Sequence, residues 1–270
     1  MLGKANDRLS VEAIRPFLSF PEVYIKVYQE VDSTNRAAKA AAITGEAGHG
    51  SFVLAGCQTE GRGRRGRSFY SPQDAGIYLS VILEPKGSLQ ESLLLTAEAA
   101  VAVYRAVKKI TGVELDIKWV NDLYHNGKKV CGILCESKIQ GGKVSAVCGM
   151  GINLCQDEDF FIQNNLPHAT SLLAFDGQRR TAQEAAVLLL EELEPILEQY
   201  RQEGFSPFAA SYCDRCVTLG RQVRVIRGQQ EVTAQAISIA PDGGLICQKA
   251  GENFVIRSGE ASVRGLYGYV

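Results

Sequence analysis

Apolar and polar positions along this chain change period several times, and each change marks an element. "SFVLAGCQ" (51–58) and "AGIYLSVIL" (75–83) are short, nearly continuous apolar runs, the pattern of strands covered on both faces. "SLQESLLLTAEAAVAVYRAVKKITG" (88–112) holds helical spacing over a much longer stretch. Ser88 and Glu91 have capping-box spacing, Lys108 and Lys109 fall in the last turn, and Gly112 stops the helix. A shorter helix is predicted in "EVDSTNRAAKAAAITG" (30–45), with Ser33 as N-cap, alanines inside and Gly45 closing it.

Strands follow. "LDIKWVNDLYHNGKKVCGILCES" (115–137) has Asn126-Gly127 between two β-rich arms, a strong hairpin signal. Gly141-Gly142 then turns into "KVSAVCGMGINL" (143–154). Thr181 and Glu184 repeat the capping-box spacing ahead of a second long helix, which Pro195 is expected to bend before Gly204. From about residue 215 the helical period disappears. Short alternating strands are separated by turns at Arg227-Gly228, Asp242-Gly243-Gly244 and Gly251. The pattern predicts an α+β domain over 1–214 and a small β-barrel or sandwich over 215–270.

Composition narrows the function. Twenty-nine basic residues oppose 30 acidic ones, so no global field draws the chain to nucleic acid or membrane. No apolar run approaches the roughly 18 residues of a membrane span. The N-terminal stretch has no leader-like apolar core. With eight scattered cysteines, this reads as a cytoplasmic protein with reduced thiols. Cys213 and Cys216 form a lone CxxC without a second pair. His49, His125 and His168 have no metal-ligand spacing.

Against that neutral background, residues 61–67 hold four arginines and three glycines. Glycine lets backbone N–H groups approach a ligand, and arginine supplies planar forks for phosphate or carboxylate. Such a loop awaits an anion, and nucleic acid, nucleotide and carboxylic acid all remain open. Its glycine content and mutual repulsion of its arginines predict mobility around 60–68 without an anion, and closure with one.

Several segments together resemble the biotin protein ligases: "DSTN" (32–35), "GRGRRGRSFYSP" (61–72), "KWVNDLY" (118–124), "KKVCGIL" (128–134), "GMGINL" (149–154) and "GEASVRG" (259–265). The resemblance implies a central mixed β-sheet with helices, like that of class II aminoacyl-tRNA synthetases, plus a C-terminal Src-homology-3-like β-barrel. It implies that biotin and MgATP give biotinyl-AMP, and that biotin then passes to a lysine of the biotin carboxyl carrier protein domain of a biotin-dependent carboxylase. A carboxylate is a poor acyl donor, and a mixed anhydride with AMP supplies the leaving group. Val120 departs from the proline usual in the family, and Cys131 stands where a small residue is common. The roughly 25 residues before the first strand leave no room for the helix-turn-helix of some members, so no specific DNA partner is expected. Homodimer formation stays open. A lipoate or octanoate ligase of the same superfamily is one alternative, and a nucleic-acid binder using the arginine loop is another.

The same resemblance implies the site. Arg62 and Lys129 act on the reacting carboxylate and phosphate. Ser33, Thr34, Asn35, Gln58, Gly63, Arg64 and Gly132 join them in binding biotin. Gly61, Arg64, Trp119, Asn121, Asp122, Asn153 and Arg264 serve the nucleotide, with Asn121 and Asp122 also suited to Mg²⁺. Plainer readings stand beside these. Ser33 is also a helix cap, Gln58 a solvated strand end, Asn121-Asp122 a turn, Trp119 a core residue and Lys129 an exposed hairpin lysine. Lys128, Arg65 and Arg67 read as solvated charges.

Overall fold

A computed structural model describes residues 8–19, 22–84, 91–140, 143–257 and 262–265. The capping pair at Ser88 and the turn at Gly141-Gly142 lie outside these described residues. The main sheet holds β1 (Ile25–Val31), β2 (Phe52–Gln58), β3 (Gly76–Leu83), β4 (Asp116–Lys118), β5 (Asp122–His125), β6 (Lys128–Gln140) and β7 (Lys143–Asn153). Their spatial order is β1-β2-β3-β7-β6-β5-β4. Only β1 and β2 run parallel among the described pairs, so the sheet is mixed.

Seven helices are described: α1 (Val11–Ile14), α2 (Thr34–Thr44), α3 (Glu91–Thr111), α4 (Glu158–Gln163), α5 (Leu173–Asp176), α6 (Ala182–Glu203) and α7 (Ser206–Arg215). The capping box of α6 forms as its spacing predicts, Glu184 N–H donating to Thr181 Oγ1 at 3.2 Å and Thr181 N–H to Glu184 Oε2 at 3.2 Å. Gly45 ends α2 in the left-handed conformation (φ 78°). Ser33 holds the N-cap position of α2, but its side chain makes no capping bond.

Alternation in β3 sorts the two layers. Leu79 and Val81 join the large core that α3 and α6 cover, whereas Ile82 packs with Ala38 and Ala41 of α2. All eight positions of β3 are therefore buried. Ser80 shares the α2 side with Ile82. In β7 the same rule puts Gly149 and Gly151 on the α2 side with Val147, and Met150 and Ile152 in the large core.

The hairpin between β5 and β6 turns at Asn126 and Gly127, both with positive φ (47° and 75°), as a two-residue type I′ turn requires. Its register slips: Leu123 faces Cys131 but Tyr124 faces Lys129. This bulge accommodates Val130 as an extra residue. Val130 and Cys131 both point into the core, and Lys129 returns to the same face as Gly132.

Past α7 comes an antiparallel sheet of β8 (Gln222–Arg227), β9 (Gln230–Ile239), β10 (Leu245–Lys249), β11 (Glu252–Ile256) and β12 (Ser262–Gly265), in the order β11-β10-β9-β8-β12. No pairing joins β11 to β12 among the described residues, so the expected barrel is seen as an open five-stranded sheet. It shares its core with the main domain through Val223, Val225, Ala236 and Leu245. Val217 N–H donates to Ile117 O at 3.0 Å beside the junction. The eight cysteines are all free thiols. Among the described residues no helix is long and apolar enough to cross a membrane.

Candidate functional site

A cleft of about 370 Å³ opens on the α2 side of the sheet, roofed by the arginine loop. Its floor is backbone. Gly132 pairs directly with Gly151 and Leu134 with Gly149, so three glycines lie side by side on β6 and β7. A methyl group on Gly151 would lie 2.6 Å from the Phe69 ring, and one on Gly149 only 2.2 Å from Asn35 Oδ1. Glycine is needed at 149 and 151 because Asn35 of α2 and Phe69 of the roof occupy the space a Cβ would need.

One end of the cleft is polar and buried. Gln58 Oε1 accepts from Thr34 N–H at 2.9 Å and lies 3.1 Å from Thr34 Oγ1, and Gln58 Nε2 donates to Ser71 Oγ at 2.8 Å. The strand-end glutamine is thus tied inward rather than solvated. Ser80 Oγ stands 2.8 Å from Thr34 Oγ1 and 2.7 Å from Asn35 Oδ1. Asn35 Nδ2 donates to Leu134 O at 3.1 Å and to Glu136 Oε2 at 2.9 Å. Burial pushes the Glu136 carboxyl up, but hydrogen bonds from Lys39 and Asn35 and the Lys39 and Arg62 charges outweigh it and hold the group below its ordinary value.

The other end is cationic. The loop folds as a small hairpin, Gly63 N–H donating to Arg67 O at 2.7 Å, with Arg65 and Gly66 at positive φ (59° and 72°) at its tip. All four arginines border the cleft; Arg64 is half-buried, while Arg62, Arg65 and Arg67 are exposed. Arg64 donates to Asn121 Oδ1 at 2.9 Å. Burial pushes its guanidinium below its ordinary value, and the charges of Arg65 and Arg67 add to this while Asp122 opposes it. Arg64 thus holds its charge in a desolvated place beside two like charges, where an anion would relieve the repulsion. Lys129 is not the exposed hairpin lysine of the plain reading. The bulge aims it into the cleft, where its Nζ donates to Asp122 Oδ1 at 2.7 Å. Its backbone is clamped by His168 O and Thr170 N–H at 2.7 and 2.9 Å. Lys128 points the other way, to Glu158 at 3.0 Å.

Trp119 is buried in the core and lines the cleft at once. Its indole N–H donates to Gly243 O at 3.1 Å and its backbone N–H to Thr218 Oγ1 at 3.0 Å, so it fastens the C-terminal sheet to the main domain. The Trp119–Val120 peptide is cis. Gly61 stands at the stem of the loop, where a Cβ would lie 2.2 Å from Phe69 O. Asn153 does not line the cleft; its amide donates to Thr170 O at 2.9 Å and so supports the segment that clamps Lys129. Arg264 lies on β12 opposite Arg224, which does line the cleft, but its side chain is outside the described set. Sequence reasoning missed Phe69, Ser80 and Glu136. Phe69 lies inside the motif over 61–72 but was given no role there; Ser80 sits inside an apolar run, and its polarity there was the available signal.

Among the described residues no group of three or more His, Cys, Asp or Glu side chains converges as a metal cage. Asp122 is the one carboxylate among the described residues lining the cleft, and Asn121 Oδ1 is engaged by Arg64. One carboxylate suits an ion that brings phosphate oxygens and water as its remaining ligands.

Residues 27–153 match the Biotin/lipoate A/B protein ligase family, and residues 218–264 match the Biotin protein ligase C terminal domain. The bifunctional ligase/repressor BirA of Bacillus spizizenii is 32% identical over 223 residues, 82% of this chain and 69% of that protein. The biotin–[acetyl-CoA-carboxylase] ligase of Paracoccus denitrificans is 33% identical over 244 residues, 87% of this chain and 98% of that protein. Among solved structures, the biotin protein ligase from Aquifex aeolicus in complex with biotin and ATP gives a TM-score of 0.74 at 28% identity, covering 90% of this chain and 99% of that one.

Proposed function

Because the chain belongs to the biotin protein ligase family, we propose that its cleft carries out both halves of a biotin transfer, with the residues described above in definite roles. The chain is an ATP-dependent biotin protein ligase. In the first half a biotin carboxylate oxygen attacks the α-phosphorus of ATP, and pyrophosphate leaves. In the second a lysine amine of the acceptor attacks the acyl carbon, and AMP leaves.

The observation that carries the assignment is the contrast between the two ends of one cleft. The end built from Thr34, Asn35, Gln58 and Ser80 is a dense set of hydrogen-bonding groups, suited to the ring N–H and C=O of biotin. The dithiolane of lipoate and the methyl terminus of octanoate offer no such partners, and burying polar groups against them would be unfavourable. The nucleic-acid reading has less support, since Arg64 is turned inward to Asn121 and not presented on an open surface.

At the other end, Arg62 and Lys129 bring the biotin carboxylate and the α-phosphate together despite their like charge, and stabilise the charge that grows on the phosphate. Asp122 orients Lys129. Arg64 completes the roof and shields the anhydride from water. Trp119 and Arg224 line the nucleotide end, with Arg264 on the strand beside it. Magnesium is the cofactor this reading carries: Asp122 would hold it with the nucleotide, where it supplies charge neutralisation on the phosphates. The acceptor is a biotin carboxyl carrier protein domain of a carboxylase, and the reaction is cytoplasmic. Mass spectrometry of a carrier domain incubated with the protein, biotin and MgATP tests this. One biotin on one lysine is the expected product, and lipoylation without biotinylation would reassign the substrate.

A further inference from the structure

Glu136 is a charged side chain beside the cleft that the reaction above does not use. It follows Gly132 and Leu134 at alternate positions of β6, so all three face the same side of the sheet. Gly132 and Leu134 line the cleft, and Glu136 lies just beyond its lining. Its Oε1 accepts from Lys39 Nζ at 2.7 Å and faces Arg62 at 3.7 Å, while Oε2 accepts from Asn35 Nδ2 at 2.9 Å. Asn35 and Lys39 are four residues apart on α2 and share one face of it.

The hydrogen bonds have a direction that starts at this carboxylate. An ionised carboxylate only accepts, so it must face the amide NH₂ of Asn35. The second amide proton goes to Leu134 O at 3.1 Å, and Oδ1 is left to face Ser80. An amide oxygen also only accepts, so the single Ser80 proton is committed to Asn35. Ser80 therefore turns lone pairs to Thr34 Oγ1 at 2.8 Å. The Thr34 proton then goes to Ser80 or to Gln58 Oε1, and in both cases the hydroxyl offers the cleft only lone pairs.

We propose that Glu136 is a positioning residue that, through Asn35 and Ser80, fixes Thr34 Oγ1 as an acceptor for a ring N–H of bound biotin. The inference rests on the biotin reading of the cleft. Glu136→Gln replaces the obligate acceptor by a group that can donate, so Asn35 can rotate and the direction of the chain can reverse. The lost bond is one to a charged group, and the expected effect is about a tenfold rise in the biotin Kd. The KM for ATP should stay within about twofold. A purely structural role would disturb both substrates together.

Calorimetry with biotin and exchange kinetics with ATP on the full chain decide the matter, alongside Asn35→Ala and the double variant. If Glu136 acts through Asn35, Glu136→Gln adds nothing further to the biotin Kd in the Asn35→Ala background. Biotin binding within about twofold of wild type in Glu136→Gln, or additive losses in the double variant, would overturn the proposal. Should Glu136→Gln lose its cooperative melt, Glu136→Asp, which withdraws the charge by one methylene, is judged by the same criteria. Failure of the wild type to bind biotin would instead sink the reading on which the proposal rests.

Discussion

Lys129 Nζ sits 2.7 Å from Asp122 Oδ1 only because β6 carries one more residue than β5 at the bulge. Plain alternation from Gly132 would turn Lys129 into the core and Lys128 into the cleft. The extra residue, Val130, exchanges them. The cation at the reacting phosphate is therefore positioned by a backbone irregularity and oriented by a neighbouring carboxylate.

Removing that cation should slow adenylation. Lys129→Ala is expected to lower single-turnover pyrophosphate release by about 10²–10³, the usual loss for one charge-stabilising donor. Asp122→Asn should fall between this variant and wild type, since it leaves Lys129 present but less firmly held. A Lys129→Ala rate close to wild type would return this residue to the status of an ordinary hairpin lysine.

The arginine loop should order on binding. Fixing each of its residues costs roughly 1–2 kcal/mol of backbone entropy. Charge-assisted hydrogen bonds to a carboxylate or phosphate, roughly 1.5–3 kcal/mol each, can offset that. Hydrogen exchange over residues 60–68 is expected to slow when biotin and ATP are present. Gly61→Ala, which would put a methyl 2.2 Å from Phe69 O, should abolish most of that protection. Equal exchange with and without ligand would mean a preformed roof.

Trp119 ties the two sheets together, so its hydrogen bond should be measurable in stability. Trp119→Phe keeps most of the buried ring but leaves Gly243 O without this donor. A loss of about 1–3 kcal/mol is expected in urea unfolding, together with a raised KM for ATP. Truncation after residue 214 should be more severe, leaving a folded catalytic unit with poor turnover. Unchanged turnover in the truncated chain would assign the small sheet to some other role.

Acid should act on Glu136 in a defined direction. Its folded-state pKa lies below the ordinary value, chiefly because hydrogen bonds from Lys39 and Asn35 overcome the opposing effect of burial. Its contribution is therefore fully present above the ordinary glutamate range, near pH 4.3, and is lost as pH falls through the lower folded value. Thermal midpoints of wild type and Glu136→Gln, compared from pH 6 to pH 3, should converge only at the acid end. A constant difference across that range would mean the carboxylate charge contributes nothing.

Much of this was legible in the sequence because the signals were local. Asn126-Gly127 specifies its hairpin, Thr181 and Glu184 their cap, and the turns after residue 215 delimit the strands of the small sheet. The arginine loop announced an anion through composition alone. Contacts that join distant segments were not legible. Asn35 meets Glu136 across 101 residues, and nothing near either one signals the other. The bulge at Val130 also escapes pattern reading, since an extra residue in an apolar strand looks like any other. Whether the last five strands close is decided by pairing between β11 and β12, which turn spacing does not encode.

The three glycines of the floor bias what this cleft can become. A glycine has no side chain to give up, so any single substitution at Gly132, Gly149 or Gly151 fills the trench and none deepens it. Change at the floor is a ratchet, admitting only slimmer molecules or none. A route to bulkier substrates runs through the side chains around the glycines instead, Phe69 of the roof or Leu134 opposite Gly149. An engineer seeking a ligase for larger biotin analogues would leave the three glycines alone and randomise those positions.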